Sequence, residues 1–263
     1  MNVARSPEDR AVAAYQAILE RVGARASEIG PRPIASHWPH RGSAYRAGGL
    51  LFAGQALDGW DAPTTPARWW AEEAATAEGR ARVLAGTRGW HTDLPEPLWG
   101  VFQYSHRPGS SFWTLGRDIV SALVPDGPDP WYSRFAWGNV YPLGHDKRPD
   151  LDMRAGSPVG ALKEIQDPYV GDLLDALVEM LDARRIVIVA GPEYWAQAER
   201  SLGLNLSPAP FPLIRAGRSG GRSWVIGYHP NYSRQAGKRL HGPGAGSNAY
   251  YVAAVQRAFS KLD

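Results

Sequence analysis

Apolar residues along the chain follow a helical period in some segments and form short continuous runs in others. Apolar positions at helical spacing, together with helix-capping residues, predict helices over residues 6–29, 65–85, 111–123, 161–166, 167–182, 192–203 and 247–262. Runs rich in β-branched and aromatic residues predict strands over residues 49–55, 134–141, 185–190 and 222–228. Because helices alternate with these strands, we predict an α/β fold, a three-layer sandwich with a central, mainly parallel sheet of four to five strands.

Capping and turn residues define the limits of these elements. Ser6 is followed by Pro7 and two acidic residues, a combination typical of the first turn of a helix. Residues 30–48 and 86–110 are predicted to be irregular, and the Gly-rich residues 216–221 predict the turn of a hairpin. No linker or repeat interrupts the pattern, so we expect one domain over residues 1–263 with an N-terminal helical extension of about residues 1–47.

The composition limits the kinds of protein that the chain can be. The 263 residues are 44% hydrophobic, enough for a sizeable core, and include no Cys. We therefore expect no disulfide, no thiolate zinc site and no Cys-ligated iron–sulfur cluster. No apolar run reaches the roughly 18 residues of a membrane span, and the N-terminal residues lack the apolar core of a secretory signal. These features predict a cytoplasmic protein without membrane contact.

Charge is unevenly distributed along the chain. The formal net charge is +3, but residues 183–263 contain 11 of the 29 Lys and Arg residues and only 3 of the 26 acidic residues. One-sided positive charge indicates a polyanionic partner, and a solvated basic face is the alternative interpretation.

Four segments with polar or aromatic residues lie at predicted strand ends or helix starts, namely residues 54–60, 110–113, 138–140 and 229–233. Pro230 ends the last strand and favours an extended conformation at His229. The carboxyl ends of parallel strands meet at one edge of a sheet, where open α/β sheets bind their ligands. We therefore expect an acid, an aromatic ring, an amide and an imidazole to share a cleft, contributed by Asp58, Phe112, Asn139 and His229. Such a set can stack on a planar heterocycle, read its edge and stabilise negative charge.

Three further motifs have simpler explanations. Residues 217–221 match Gly-x-Ser-x-Gly, but they lie between two strands rather than between a strand and a helix, so we interpret them as a turn. His37 and His40 are close in sequence, but Pro39 between them prevents the helix that would align both on a metal ion. The Gly-rich residues 242–246 follow no strand and do not form a dinucleotide-binding motif. We therefore predict no metal and no cofactor.

The order and spacing of the four segments resemble the uracil-DNA glycosylase superfamily, especially the branches near the mismatch-specific thymine/uracil enzymes. The resemblance covers about residues 48–235 and rests on Gly54-Gln55, Phe112-Trp113, Asn139 and His229-Pro230. It implies a DNA N-glycosylase of base excision repair, which flips a uracil-like or deaminated base out of the DNA and hydrolyses its N-glycosidic bond. The expected partner is DNA with a damaged or deaminated base, and we expect the protein to act as a monomer.

The resemblance also implies a role for each residue of the site. Gly54 and Gln55 fall in the Gly-rich turn that holds the catalytic water, and Asp58 is the nearby acid that would orient or deprotonate this water. Phe112 would stack on the base, and Asn139 would read its edge. His229 would stabilise the departing base anion. Contacts with DNA are expected from the polar and basic residues that follow, which are Asn231, Tyr232, Ser233, Arg234, Lys238 and Arg239.

The sequence departs from the family pattern at two positions. Ala56 occupies a place where many branches have an Asp or Asn that positions water, and Asn231 replaces the usual small Ser after His-Pro. The branches with iron–sulfur clusters are excluded because the chain has no Cys. Two alternatives stay open: a non-catalytic DNA-binding or lesion-sensing module of the same fold, and a hydrolase that acts on a small nucleoside.

Overall fold

The computed structural model describes the chain in separate stretches, which are residues 5–55, 69–93, 111–124, 127, 129–145, 158–208, 214–230 and 247–263. Contacts between residues divide the chain into two compact units. The first comprises Met1–Pro39, Ala56–Leu94 and Asn139–Met180, and the second comprises His40–Gln55, Pro95–Gly138 and Leu181–Asp263. The single domain expected from the sequence stays a prediction.

Eight α-helices and nine β-strands occur in the described stretches. The helices are α1 (Pro7–Ala24), α2 (Ala26–Ile29), α3 (Ala77–Asp93), α4 (Ser111–Leu123), α5 (Ala161–Gln166), α6 (Val170–Met180), α7 (Pro192–Ser201) and α8 (Asn248–Leu262). The strands are β1 (Ile34–Ser36), β2 (His40–Arg41), β3 (Leu50–Gly54), β4 (Ala136–Asn139), β5 (Leu143–His145), β6 (Arg185–Ala190), β7 (Ser207–Pro208), β8 (Ile214–Ser219) and β9 (Arg222–Tyr228). None of the described helices is long and apolar enough to cross a bilayer.

The first helix begins where the sequence predicts it. Ser6 Oγ accepts a hydrogen bond from Asp9 N at 3.1 Å, and Asp9 Oδ2 accepts one from Ser6 N at 3.3 Å, so a capping box closes the first turn. The helix is interrupted at Arg25, whose φ of −116° and ψ of 24° are not helical, and α2 then continues to the predicted limit at Ile29. The buried face of α1 packs with α6 in the core of the first unit.

The helix predicted over residues 65–85 is wrong in its limits. In the described part of this segment, Trp69 pairs with Ile34 through two backbone hydrogen bonds of 2.8 and 3.1 Å, and a 3₁₀ turn follows. Thr76 Oγ1 accepts a backbone hydrogen bond at 3.0 Å, so this residue caps α3 and delays the start of the helix. The helix then runs to Asp93, into a stretch predicted to be irregular.

Residues 30–48 contain two short strands rather than irregular structure throughout. β1 pairs antiparallel with β5, with Ile34 opposite His145 and Ser36 opposite Leu143. β2 pairs antiparallel with β4 at one end of the larger sheet. Strands of two or three residues are too short to give a pattern of their own, and their partners lie far along the chain.

Within the described residues, the larger sheet has seven strands in the order β2-β4-β3-β6-β9-β8-β7. β3, β6 and β9 are parallel and form its centre, while β2 with β4, β8 with β9 and β7 with β8 are antiparallel. The predicted α/β class is confirmed, and the predicted hairpin is the β8–β9 pair. The predicted count of four to five strands is wrong, because the two-residue strands β2 and β7 extend the sheet.

Both faces of the three central strands are buried. The parallel register aligns Phe52 with Val187 and Val225 on the face that packs against α4 and α8. Gly227 lies on the same face, where the hydroxyl of Tyr251 in α8 leaves no room for a Cβ atom. The opposite face is also apolar, and its buried residues include Leu51, Ile186, Ile188, Trp224 and Ile226.

Candidate functional site

Hydrogen bonds join the carboxyl ends of β3, β6 and β9 in the second unit. Gln55, directly after β3, accepts a hydrogen bond at Oε1 from Gly191 N, directly after β6, at 2.9 Å. His229, directly after β9, donates a hydrogen bond from its backbone N to Ala190 O at 3.1 Å. The three strand ends therefore form one continuous edge, with Gln55 and His229 on either side of β6.

A phenyl ring and an imidazole ring lie against each other at this edge. Phe112, the second residue of α4, is half-buried, and its ring is nearly parallel to that of His229, with an interplanar angle of 9° and 6.2 Å between the ring centroids. The ring of Phe52 in β3 lies 4.9 Å from that of Phe112, and the ring of Trp113 meets it edge-on at 4.9 Å. The structure thus brings together Phe112 and His229, two of the residues that the sequence assigns to one cleft.

The backbone on both sides of His229 is held in place. Tyr251 Oη in α8 donates a hydrogen bond to Tyr228 O at 3.2 Å. Burial raises the pKa of the Tyr251 hydroxyl, so the hydroxyl stays protonated and remains a donor at physiological pH. Pro230, on the other side, is buried. These contacts fix the backbone that carries the imidazole.

Asn139 is the last residue of β4, which neighbours β3 in the sheet. The residue is only 2% exposed, and its Nδ2 has no hydrogen-bond partner in the described stretches. A buried donor without a partner costs about 1–3 kcal/mol. An amide in this state is suited to bind an acceptor atom of a ligand, because the ligand restores the missing hydrogen bond.

The segment that follows Asn139 is fixed by two polar contacts in the first unit. Tyr141 Oη donates a hydrogen bond to Asp167 Oδ1 at 2.5 Å, and Lys163 Nζ lies 2.9 Å from the same oxygen. Lys163 Nζ also lies 5.4 Å from the centroid of the Tyr141 ring. The backbone next to Asn139 is therefore anchored to the α5 region.

Several residues assigned to the site lie outside the described stretches, namely Asp58, Asn231, Tyr232, Ser233, Arg234, Lys238 and Arg239. Their roles stay predictions. Of the residues that the structure describes, Gly54 is the buried last residue of β3, and it adjoins Gln55 at the same edge as His229.

The turn predicted over residues 216–221 is shorter than expected, because residues 216–219 belong to β8. Ser219 ends β8, and Gly220 and Gly221 follow with φ values of 57° and 72°, a left-handed conformation that favours glycine. In the described stretches, no group of three or more His, Asp or Glu side chains is arranged to hold a metal ion.

Two contacts that shape the edge have no signal in the sequence. The hydrogen bond between Gln55 and Gly191 joins segments that are far apart along the chain, and so does the one between Tyr251 and Tyr228. Neither residue pair belongs to a local motif, so only the register of the strands and the packing of α8 reveal them.

The chain matches no protein-family model, and no curated protein matches it. Its class is therefore defined by its own geometry: it is an α/β protein with an aromatic–imidazole pair at the carboxyl edge of a parallel sheet centre.

Proposed function

We propose that the protein is a DNA N-glycosylase, a hydrolase that cleaves the N-glycosidic bond of a uracil-like or deaminated base in DNA. The observation that most supports this function is the parallel contact between the rings of Phe112 and His229 at the carboxyl end of β9. An aromatic face can hold a planar base by stacking, and an imidazole can donate a hydrogen bond to an oxygen of that base. The scaffold in this proposal is a three-layer sandwich with α4 and α8 in one outer layer.

The chemical step requires stabilisation of a departing base anion. Cleavage passes through an oxocarbenium-like sugar, and only interactions that strengthen in the transition state accelerate it. An N–H of His229 that donates to the base oxygen gains strength as negative charge develops there. By analogy with oxyanion donors, this contact contributes about 3 kcal/mol of transition-state stabilisation.

Base selection is assigned to the buried amide of Asn139. Its Nδ2 has no hydrogen-bond partner in the described part of the chain, so an acceptor atom on the base edge would satisfy it. A base that presents a donor at this position would leave two buried donors unpaired, which disfavours its entry. The contact between Tyr141 and Asp167 supports this role because it fixes the backbone next to the amide.

Activation of the water is assigned to Asp58, with Gln55 as the residue that orients the water. Gln55 Oε1 already accepts the hydrogen bond from Gly191 N, which fixes the plane of its amide group. A carboxylate is the stronger base, so proton abstraction falls to Asp58. The flipped base leaves a gap in the duplex, and we assign the filling of this gap to Tyr232 or Asn231. Contacts with phosphates are assigned to Arg234, Lys238 and Arg239.

Replacement of His229 tests the proposal. We expect the unaltered protein to make alkali-sensitive sites in a duplex that contains deoxyuridine, deoxyinosine or deoxyxanthosine. His229→Ala should lower the excision rate by about 10²- to 10³-fold, the typical effect of removing one oxyanion donor. His229→Asn is the matched control: it keeps an N–H donor at the site and should retain more activity. Circular dichroism would verify the fold of both variants, and undiminished cleavage by His229→Ala would remove this residue from the mechanism.

A non-catalytic DNA-binding or lesion-sensing module of the same fold is the second candidate. Ala56, at a position where many branches of the resembled family have a polar residue that positions water, favours it. Binding of damaged duplexes without cleavage would support the module. Cleavage of free nucleosides without salt-sensitive DNA binding would instead support a nucleoside hydrolase.

A further inference from the structure

Four arginines lie at the amino-terminal edge of the central strands, at the opposite end of β9 from His229. Backbone hydrogen bonds connect the segments that carry them: Gly49 O accepts from Arg184 N at 3.2 Å, and Arg184 O accepts from Ser223 N at 2.9 Å. Ser223 in turn faces Arg218 across the β8–β9 ladder. We call this surface the arginine edge and define it by Arg46, Arg184, Arg218 and Arg222.

The charges of the arginine edge are not neutralised within the described stretches. Arg46, Arg184 and Arg218 are exposed. None of the four arginines forms an ion pair with another described residue. By contrast, ion pairs with carboxylates are formed by Arg10, Arg25, Arg88 and Arg215. Asp182 is the one acidic residue in the segments that form the edge, residues 44–50, 182–185 and 218–223. Positive charge therefore prevails on this surface.

The arginine edge is too far from His229 for both to bind the same chemical group of a ligand. β9 spans the seven residues from Arg222 to Tyr228. At about 3.3 Å per residue, the two ends of the strand are roughly 20 Å apart. A base that stacks on Phe112 therefore does not reach the arginines, so the group that binds at this surface is not that base.

We propose that the arginine edge binds the phosphate backbone of a nucleic acid without regard to its base sequence. All four basic residues are Arg, whose planar guanidinium donates two parallel hydrogen bonds to a phosphate. Neighbouring strands are about 4.8 Å apart, so the arginines are spaced in a row along the edge rather than gathered in a compact pocket. Arg218 pairs with Ser223 and Arg222 with Ser219, so these two arginines flank the edge from opposite faces of the sheet. A row of charges complements a linear polyanion such as a nucleic acid better than it complements a single small anion.

This second contact goes beyond the proposed excision activity and does not depend on it. A stretch of nucleic acid bound at the arginine edge would lie at the opposite end of the sheet from a base held at His229. The two contacts can therefore be tested separately, the first by equilibrium binding of undamaged DNA and the second by base excision.

The salt dependence of DNA binding tests the arginine edge. R184Q/R218Q removes two of its exposed charges, and the control R5Q/R82Q removes two exposed charges from the first unit. In fluorescence anisotropy titrations with an undamaged duplex, we expect the slope of log affinity against log salt to become less steep by about two for R184Q/R218Q. The control should keep the slope of the unaltered protein, and the loss of affinity should be equal on duplexes of different sequence.

Two outcomes would overturn the proposal. The first is an equal salt slope for the unaltered protein and R184Q/R218Q. The second is weaker binding of R184Q/R218Q to phosphatidylserine-containing vesicles with unchanged DNA binding, which would assign the surface to an anionic lipid. If the unaltered protein excises no base from any damaged duplex, the glycosylase proposal fails, while the binding result still decides the role of the arginine edge.

Discussion

At the scale of the residue, Asn139 and His145 are two buried polar side chains of the first unit. Each has a side-chain nitrogen without a hydrogen-bond partner in the described stretches, Nδ2 in Asn139 and Nδ1 in His145. An amide carries no charge that it can lose, so the cost at Asn139 persists until a ligand supplies an acceptor. His145 limits the free-energy cost of its burial by staying neutral. Burial lowers the pKa of its imidazole, and the charge of Arg32 lowers it further.

We expect His145 to make the stability of the protein depend on pH. The pKa of its imidazole in the folded protein lies below the ordinary value of 6.5, so below this pH the unfolded chain binds more protons than the folded chain. The free energy of unfolding should therefore decrease as the pH falls through this range. The free energy of unfolding can be measured with urea at neutral pH and at about pH 5, the lower end of the histidine range. Its decrease between these two pH values should be smaller for His145→Gln than for the unaltered protein. An equal loss in both would contradict the assignment to His145.

At the scale of the element, local sequence predicts the start of α8 and the limits of α4, but it misses the cap of α3 at Thr76. Ser247 Oγ accepts a hydrogen bond from Tyr250 N at 3.2 Å, and α8 starts at the next residue, as predicted. α4 covers the predicted residues 111–123 because its apolar residues repeat at helical spacing. The strands β1, β2, β5 and β7 could not be predicted as separate elements, because a strand of two or three residues has no pattern of its own and is defined only by its pairing.

Gly227→Ala tests how closely α8 packs against β9. The added Cβ would meet Tyr251 Oη and the side chain of Ile214, so we expect a loss of about 1–3 kcal/mol in the free energy of unfolding. Urea denaturation measures this loss through the midpoint and the slope. Gly89→Ala in α3 is the control, since nothing lies within 4 Å of its added Cβ and alanine favours a helix. An unchanged midpoint for Gly227→Ala would show that α8 can move away from the strand.

At the scale of the whole molecule, the sequence predicts the sign of the charge but not where the charge lies. Residues 183–263 contain 11 of the 29 basic residues, a fact visible without a structure. The obvious sequence-based interpretation assigns this charge to the loop after His229. The strand directions show instead that Arg184, Arg218 and Arg222 lie at the amino-terminal edge, at the other end of β9.

The separation of the two edges predicts that their effects are independent. Mutations far apart and without shared partners usually add within about 0.3–0.5 kcal/mol. We therefore expect R184Q/R218Q to weaken the binding of undamaged DNA by the same factor in the unaltered protein and in the His229→Ala background. Anisotropy titrations of the unaltered protein, R184Q/R218Q, His229→Ala and the combined variant measure the loss of affinity in both backgrounds. A difference beyond this range would mean that one bound segment of DNA contacts both edges.

The sequence by itself determined the starts of α1 and α8 and the positions of the strands β3, β6 and β9, which depend on near neighbours, and it shows the excess of positive charge in residues 183–263. Side-chain spacing and capping act over a few residues, so they can be read from the chain directly. Only the tertiary structure decided that Phe112 stacks beside His229, that Gln55 binds Gly191, and that the arginines line the opposite edge. These contacts join distant segments, and strand order and register, which no local pattern specifies, determine which side chains meet.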